Sequence, residues 1–319
     1  MSLRLFTCIT GICLLLLSCG GPGGQSVEDE ISAAAPVMVV IEDVVAGTLL
    51  KNNLNRPYGL TVDYRDNIYV VDAGNNRLIR FSEDLTPDRE FGGYGNEAGL
   101  LDRPTFVVID NGLNLLVSDE GNRRISRYNA QLNFVDEISF YDDEDMMKFG
   151  QPSGLALNEY GEIWVADRDN NRLAVFSNVG HFDRFIGDIG YGGGRLSQPE
   201  KIIRITTGDF VVCDAGNKRL VIYDSFGNFS WEARLSELDY PKAIAFDGSR
   251  LWVLGSKLGR IVCMDMRGNV LYEAGPILPG DGTALRRPSD IVALAPDRLL
   301  ISDSGNNRLL VCRVVFEER

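Results

Sequence analysis

Residues 56–81 read RPYGLTVDYRDNIYVVDAGNNRLIRF. Three apolar and β-branched runs, Pro57 to Asp63, Ile68 to Asp72 and Arg77 to Phe81, are separated by Asp, Asn and Gly clusters. Short runs with that punctuation read as strand, turn, strand, turn, strand. A fourth run follows at Asp88-Arg89-Glu90-Phe91. No 3.6-residue apolar period occurs from here to the C-terminus, so the pattern is that of sheet and not of helix.

The pattern recurs six times. Its opening prolines are Pro57, Pro104, Pro152, Pro199, Pro241 and Pro288, at spacings of 47, 48, 47, 42 and 47 residues. An acid closes the second run at Asp72, Asp119, Asp167, Asp214 and Asp303, and an arginine opens the third at Arg77, Arg124, Arg172, Arg219, Arg260 and Arg308. Four strands in about 47 residues make one propeller blade, so six copies predict an all-β, six-bladed β-propeller. The first two runs of most copies are apolar nearly throughout, as expected of strands covered on both faces by neighbouring blades. The sixth copy has only three runs before Arg319, while residues 37–44, VMVVIEDV, precede the first. This segment is expected to supply the missing strand, closing the ring with no open sheet edge.

The motif Pro-x-Gly-Leu … Ile-Tyr-Val-x-Asp-x-x-Asn-x-Arg-Leu resembles the NHL repeat, most closely at Gln151–Phe176 and Arg56–Phe81. The resemblance extends over about residues 37–319 and implies an NHL-type propeller. It implies little about activity, because that fold carries ligand binders, RNA binders, sensors and a few lyases. The NHL-type lyases depend on histidine metal ligands, and this chain has one histidine, His181, on an outer run. A site with two or three histidine ligands is therefore excluded.

The first 20 residues, MSLRLFTCITGICLLLLSCG, have Arg4 ahead of an apolar run from Leu5 to Leu17. That run is too short to span a bilayer as a helix. Leu16-Leu17-Ser18-Cys19 resembles the lipobox of bacterial lipoproteins, which implies a signal peptide over 1–18 and lipidation of Cys19. Residues 19–36, rich in Gly, Ser, Ala and acids, then read as a lipidated flexible tether, and 37–319 as the propeller. The expected location is the bacterial cell envelope, at the outer membrane on its periplasmic or surface face if the host is diderm. The formal net charge of −13 opposes phosphate backbones and anionic lipid alike. No nucleic-acid partner is expected, and membrane contact through the lipid anchor only. Cys213, Cys263 and Cys312 sit inside apolar runs and read as buried free thiols.

Within each copy the Asp and Arg stand at opposite ends of one turn. The pairs Asp72–Arg77, Asp119–Arg124, Asp167–Arg172, Asp214–Arg219 and Asp303–Arg308 read as structural ion pairs, with Asn76 bonding the turn backbone, in preference to a metal-binding ring of carboxylates. The fifth copy has Gly255-Ser256-Lys257-Leu258-Gly259 instead. That is either simple degeneration of the blade or a surface opened for a partner. The Gly-rich stretches 92–95 and 187–194 lack the Gly-Lys-Ser/Thr ending of a phosphate loop and read as connections between blades.

The residues flanking the repeat proline vary where the frame does not. Arg56, Arg103, Gln151, Gln198, Tyr240 and Arg287 precede it; Tyr58, Thr105, Ser153, Glu200, Lys242 and Ser289 follow it, with Lys201 and Asp290 one residue further on. In a propeller the first strand lines the central channel, so these side chains are expected to ring one mouth and to bind a ligand there. No residue set specifies a reaction or a required cofactor. The expected function is an envelope-anchored binding or scaffold module for a protein, peptide or glycan. The alternative is a hydrolase or lyase at the channel mouth assisted by calcium.

Overall fold

The computed structural model describes residues 35–46, 48–139, 150–187, 193–236, 238–295 and 297–317. Cys19, the signal segment and the tether up to residue 34 lie outside them, as does the middle of the second Gly-rich stretch. Six four-stranded antiparallel sheets form a six-bladed β-propeller. Blade 1 runs Pro57–Val62, Ile68–Asp72, Arg77–Phe81 and Pro87–Gly92 from the inside outwards. Blades 2 to 5 repeat that order from inner strands Pro104–Ile109, Pro152–Leu157, Pro199–Arg204 and Pro241–Phe246.

Blade 6 joins the two ends of the domain. Its first three strands are Asp290–Ala295, Arg298–Asp303 and Arg308–Phe316, and its fourth is Pro36–Val45. The pairing is antiparallel, from Val45 opposite Leu309 to Pro36 opposite Phe316. The expected closing strand is present and is longer than the sequence pattern suggested. It turns its alternate residues Val39 and Ile41 into the apolar layer between blades 5 and 6. The Ile41 amide also bonds the Pro279 carbonyl at 2.7 Å, tying the strand to the preceding blade.

An apolar cluster lies between every two neighbouring blades. Strand alternation divides each blade between two of them. Ile68 and Val70 face blade 6, while Tyr69 and Val71 face blade 2. Because a strand's side chains alternate between its faces, a doubly covered strand must be apolar at every position. Trp164 of blade 3 stacks on Phe210 of blade 4 with ring centroids 3.8 Å apart. Cys213, Cys263 and Cys312 are buried free thiols in these layers, and burial pushes the Cys263 and Cys312 thiols up to about 12.

The turn between the second and third strands carries a polar clamp. Each of the five aspartates is wholly buried and takes the arginine Nε at 2.7–2.9 Å. The same carboxylate takes a turn asparagine three residues on, as Asn75 bonds Asp72 at 2.8 Å. Its other oxygen accepts the backbone amide seventeen residues earlier, at 2.6–2.9 Å. That amide belongs to the loop that enters the blade, so one carboxylate fixes turn, third strand and incoming loop together. Asn76, expected to bond its own turn, instead reaches the next blade and accepts the Arg103 amide at 2.8 Å. Asn171 and Asn307 do the same for Gln198 and Arg56. The left-handed backbone at Asn76 (φ 52°) turns its side chain outwards across the seam, which leaves the local bond to Asn75.

In blade 5 the clamp is replaced by packing. Gly255 stands where the aspartate would be, and seventeen residues earlier stands Leu238, 1% exposed. A Cβ on Gly255 would meet the Leu238 side chain at 2.8 Å. Leu238 thus stands against Gly255 where the other blades have the carboxylate–amide bond. Closure by the N-terminal strand predicts that deleting residues 36–45 exposes the edge of Arg308–Phe316 and the apolar layer beneath it. A melting temperature lower by ten degrees or more, equivalent to several kcal/mol, is expected in scanning calorimetry.

Candidate functional site

In every blade that carries the clamp aspartate, except blade 6, the proline at the start of the first strand pairs with it, as Pro57 does with Asp72 and Pro199 with Asp214. The loop before the proline and the turn after the aspartate therefore share one face of the ring. That face holds a cavity of about 590 Å³, lined from blades 1, 3, 4, 5 and 6.

The residue two positions after each repeat proline sets the floor. Around the ring these are Gly59, Phe106, Gly154, Lys201, Ala243 and Asp290, alternately small and large. A Cβ on Gly59 would lie 2.7 Å from the Phe106 Cα, and one on Gly154 would lie 2.6 Å from the Lys201 Cα. Neighbouring inner strands come too close there for two side chains. The three large residues of blades 2, 4 and 6 fill the axis instead. Lys201 Nζ crosses past blade 5 to Asp290 Oδ1 at 2.5 Å and the Ile291 carbonyl at 3.0 Å. Asp290 Oδ2 accepts the Leu60 amide of blade 1 at 2.8 Å. Phe106, Lys201 and Asp290 are all buried, and Lys242 of blade 5 reaches to 5.8 Å from the Phe106 ring of the opposite blade, so side chains occupy the axis at this level.

Above that floor is Glu200, 1% exposed. Its Oε2 takes Lys242 Nζ at 2.6 Å and Ser153 Oγ at 2.8 Å; its Oε1 takes the Tyr240 hydroxyl at 2.7 Å, with an Arg168 nitrogen 3.7 Å away. Burial by itself works to raise the Glu200 carboxyl, but Lys242 and then Arg168 outweigh it and hold the group below its ordinary range. Burial likewise works to lower Lys242, and Glu200 reverses it, so the ammonium is held above the usual lysine range. Tyr240 is held protonated by burial and by Glu200, which keeps its hydroxyl a donor. The Lys242 ammonium also sits 5.0 Å over the Tyr58 ring, a cation–π contact, and Tyr58 meets Phe106 edge-on. Arg168 continues the network to Glu120 of blade 2 at 2.9 Å and to Gln151.

Of the ring expected from sequence, Arg56, Tyr58, Glu200, Tyr240, Lys242 and Arg287 line the cavity together. Arg103 and Gln198 are exposed on the same face outside it, and Gln151 accepts from Arg168. Lys201 and Asp290 are not brought to the cavity; they pair with each other in the floor. Ser289, expected just after its proline, also lines the cavity, whereas Arg168, Ser256, Arg286 and Ser304 line it without having been expected. Arg168, Ser256 and Ser304 occupy one repeat position, directly after the clamp aspartate or its Gly255 replacement. Its variation from Ala73 to Glu120 to Arg168 was a readable signal, since the strand register places it beside the proline loop. The clamp pairs lie beneath the face, each aspartate fully occupied by its donors. Among the described residues no group of three His, Cys, Asp or Glu stands arranged to hold a metal ion.

Residues 149–176, in blade 3, match the NHL repeat. The Drosophila melanogaster protein brain tumor is 28% identical over 131 residues, 40% of this chain and 13% of that protein. The Caenorhabditis elegans B-box type zinc finger protein ncl-1 is 31% identical over 129 residues, 40% of this chain and 15% of that protein. The chain thus spans less than a sixth of the length of either relative. Among solved structures, a streptogramin B lyase is similar with TM-score 0.62 and 16% identity, over 87% of this chain and 88% of that one. A protein of unknown function from Bacteroides thetaiotaomicron gives TM-score 0.63 at 12% identity, over 86% and 72%. At such identities these two likenesses show the propeller fold alone.

The Glu200–Lys242 pair generates a prediction. Glu200→Gln leaves a buried ammonium without its counter-ion, a loss of about 3–5 kcal/mol. Because the folded carboxyl is held below its ordinary 4.5, its contribution is complete above that pH and is lost as pH falls through the lower folded value. Melting curves from pH 7 to pH 3 are expected to show a lower midpoint for Glu200→Gln at neutral pH and a shallower acid decline than wild type.

Proposed function

We propose that this chain is an extracytoplasmic binding module, anchored to the cell envelope through Cys19, that recognises a protein, peptide or glycan at the propeller mouth. The observation that carries the reading is the cavity itself. Its walls come from the non-repeating positions of five blades set on a frame that repeats in all six. A packed frame presenting varied side chains around one concavity is how folds of this kind present a site. The filled floor makes the cavity a pocket open on one side, so a ligand is gripped there and does not thread the ring. The buried Glu200 is satisfied by three donors and a nearby Arg168, which suits a rigid floor better than an acid or base awaiting a proton.

Two measurements test the two parts. Ser256 lines the cavity, and Ser256→Trp fills it. Affinity capture from envelope extract with the full chain is expected to lose its bound partner at least tenfold on Ser256→Trp with the melting temperature held. Phe226→Ser, at a tip 78% exposed on the opposite face, is expected to leave capture intact. The reverse pattern would place recognition elsewhere. For anchoring, a radiolabelled fatty acid is expected to label the wild type and not Cys19→Ala; equal labelling would sink the assignment of the anchor.

A further inference from the structure

The floor and the rim of the mouth differ in how their charges are satisfied. In the floor Lys242 and Arg168 share Glu200, and Arg168 also holds Glu120. On the rim stand Arg56, Arg286 and Arg287, all exposed, and none of them takes part in an ion pair among the described residues. Five cationic side chains thus face the cavity and only one carboxylate does. This excess occurs in a chain whose net charge is −13. Three guanidiniums gathered against the sign of the whole molecule are not there to balance the protein's own acids.

The backbone holds these arginines in place. Arg56 and Arg287 have φ of 50° and 46°, in the left-handed region, where glycine would sit without strain. Side chains are kept there all the same. The Arg56 amide is bonded to Asn307 Oδ1 at 2.8 Å, and the Arg286 amide to Asp303 Oδ1 at 2.7 Å. The Gly305 amide bonds the Arg286 carbonyl at 2.7 Å. Arg56 and Arg286 are therefore fixed to the same clamped turn of blade 6, and Arg287 directly follows Arg286 in the chain. Guanidiniums so presented match acid groups two N–H donors at a time.

We infer that the mouth is a receptor for a compact ligand bearing two or more acid groups, carboxylate or phosphate, that supplies the counter-charge for Arg56, Arg286 and Arg287. The inference rests on the mouth being the binding site, as proposed above. The acid groups dock on the rim, and the body of the ligand lies over Tyr58 and Tyr240. A volume of about 590 Å³ suits a small polyacid or the acidic end of a longer chain. The acidic remainder of the surface repels an extended polyanion, so compactness is part of the specificity.

The test is isothermal titration of the full chain with propane-1,2,3-tricarboxylate, with pyrophosphate, and with glycerol as the uncharged counterpart, at low and high salt. Saturable binding of at least one acid probe is expected, with none for glycerol. Affinity is expected to fall at least tenfold at high salt and five- to tenfold on Arg286→Gln or Arg287→Gln, but to be unchanged on Arg65→Gln, in a turn on the opposite face. The tighter of the two acid probes separates a carboxylate from a phosphate ligand. Acid binding indifferent to the rim variants, or no acid binding at all, overturns the inference. If capture of the extract partner still falls on Ser256→Trp in that case, the mouth is a binding site for a ligand of another charge. If capture does not fall either, both readings fail.

Discussion

One buried carboxylate in each of five blades organises this molecule. The clamp aspartate takes its arginine, its asparagine and the amide of the incoming loop at once, and it is fully shielded from water while doing so. A charge in that position is tolerable only with every lone pair used, so each of the three elements must be where it is. The geometry of the mouth follows. The loops that carry Arg56 and Arg286 cannot drift, because the amides next to or within them are held by side chains of the frame. Blade 5 meets the same constraint without the charge: the Ser256 amide bonds the Tyr240 carbonyl, and Leu238 lies buried beside Gly255.

The repeat made most of the architecture legible. Prolines recurring every 42 to 48 residues indicated the number of blades, and the run of three strands at one end with an isolated strand at the other predicted the closure that the structure shows. The residues next to the prolines were readable as a mouth because the first strand of a blade is its innermost. Depth was not readable. Lys201 and Asp290 stand one residue beyond the mouth ring, and in a strand one residue is enough to turn a side chain from the cavity to the floor. Their partnership runs between blades 4 and 6 across 89 positions of sequence, which no local pattern encodes. Arg168 escaped for a related reason, since it belongs to a turn and meets the cavity only through the register of two strands. Arg286 lies one position before the expected ring, within a loop whose course the clamp decides.

The mouth combines two electrostatic regimes. Its floor is a closed network in which Glu200, Lys242, Arg168 and Tyr240 satisfy one another out of water, and such networks confer rigidity when complete. Its rim is open and cationic. A rigid, neutralised floor beneath an unneutralised rim separates shape from charge: the first defines what fits, the second what is drawn in. The regular repeat supplies neither directly, since both depend on positions at which the copies disagree.

The pairing of Pro36–Val45 with Arg308–Phe316 also governs the order in which the molecule can be completed. The first strand of the ring leaves the ribosome long before its partner, which comes after all of blades 1 to 5. Until then Val39 and Ile41 have no layer to enter, and blades 1 to 5 can only form an open arc. Completion requires a loop closure of about 270 residues, whose entropic cost grows only slowly with length but whose distant contacts make it a late and slow event. A chain interrupted anywhere before Arg308 would keep both ends of the arc unpaired. The ring thus records in its own seam whether its sixth blade has been made.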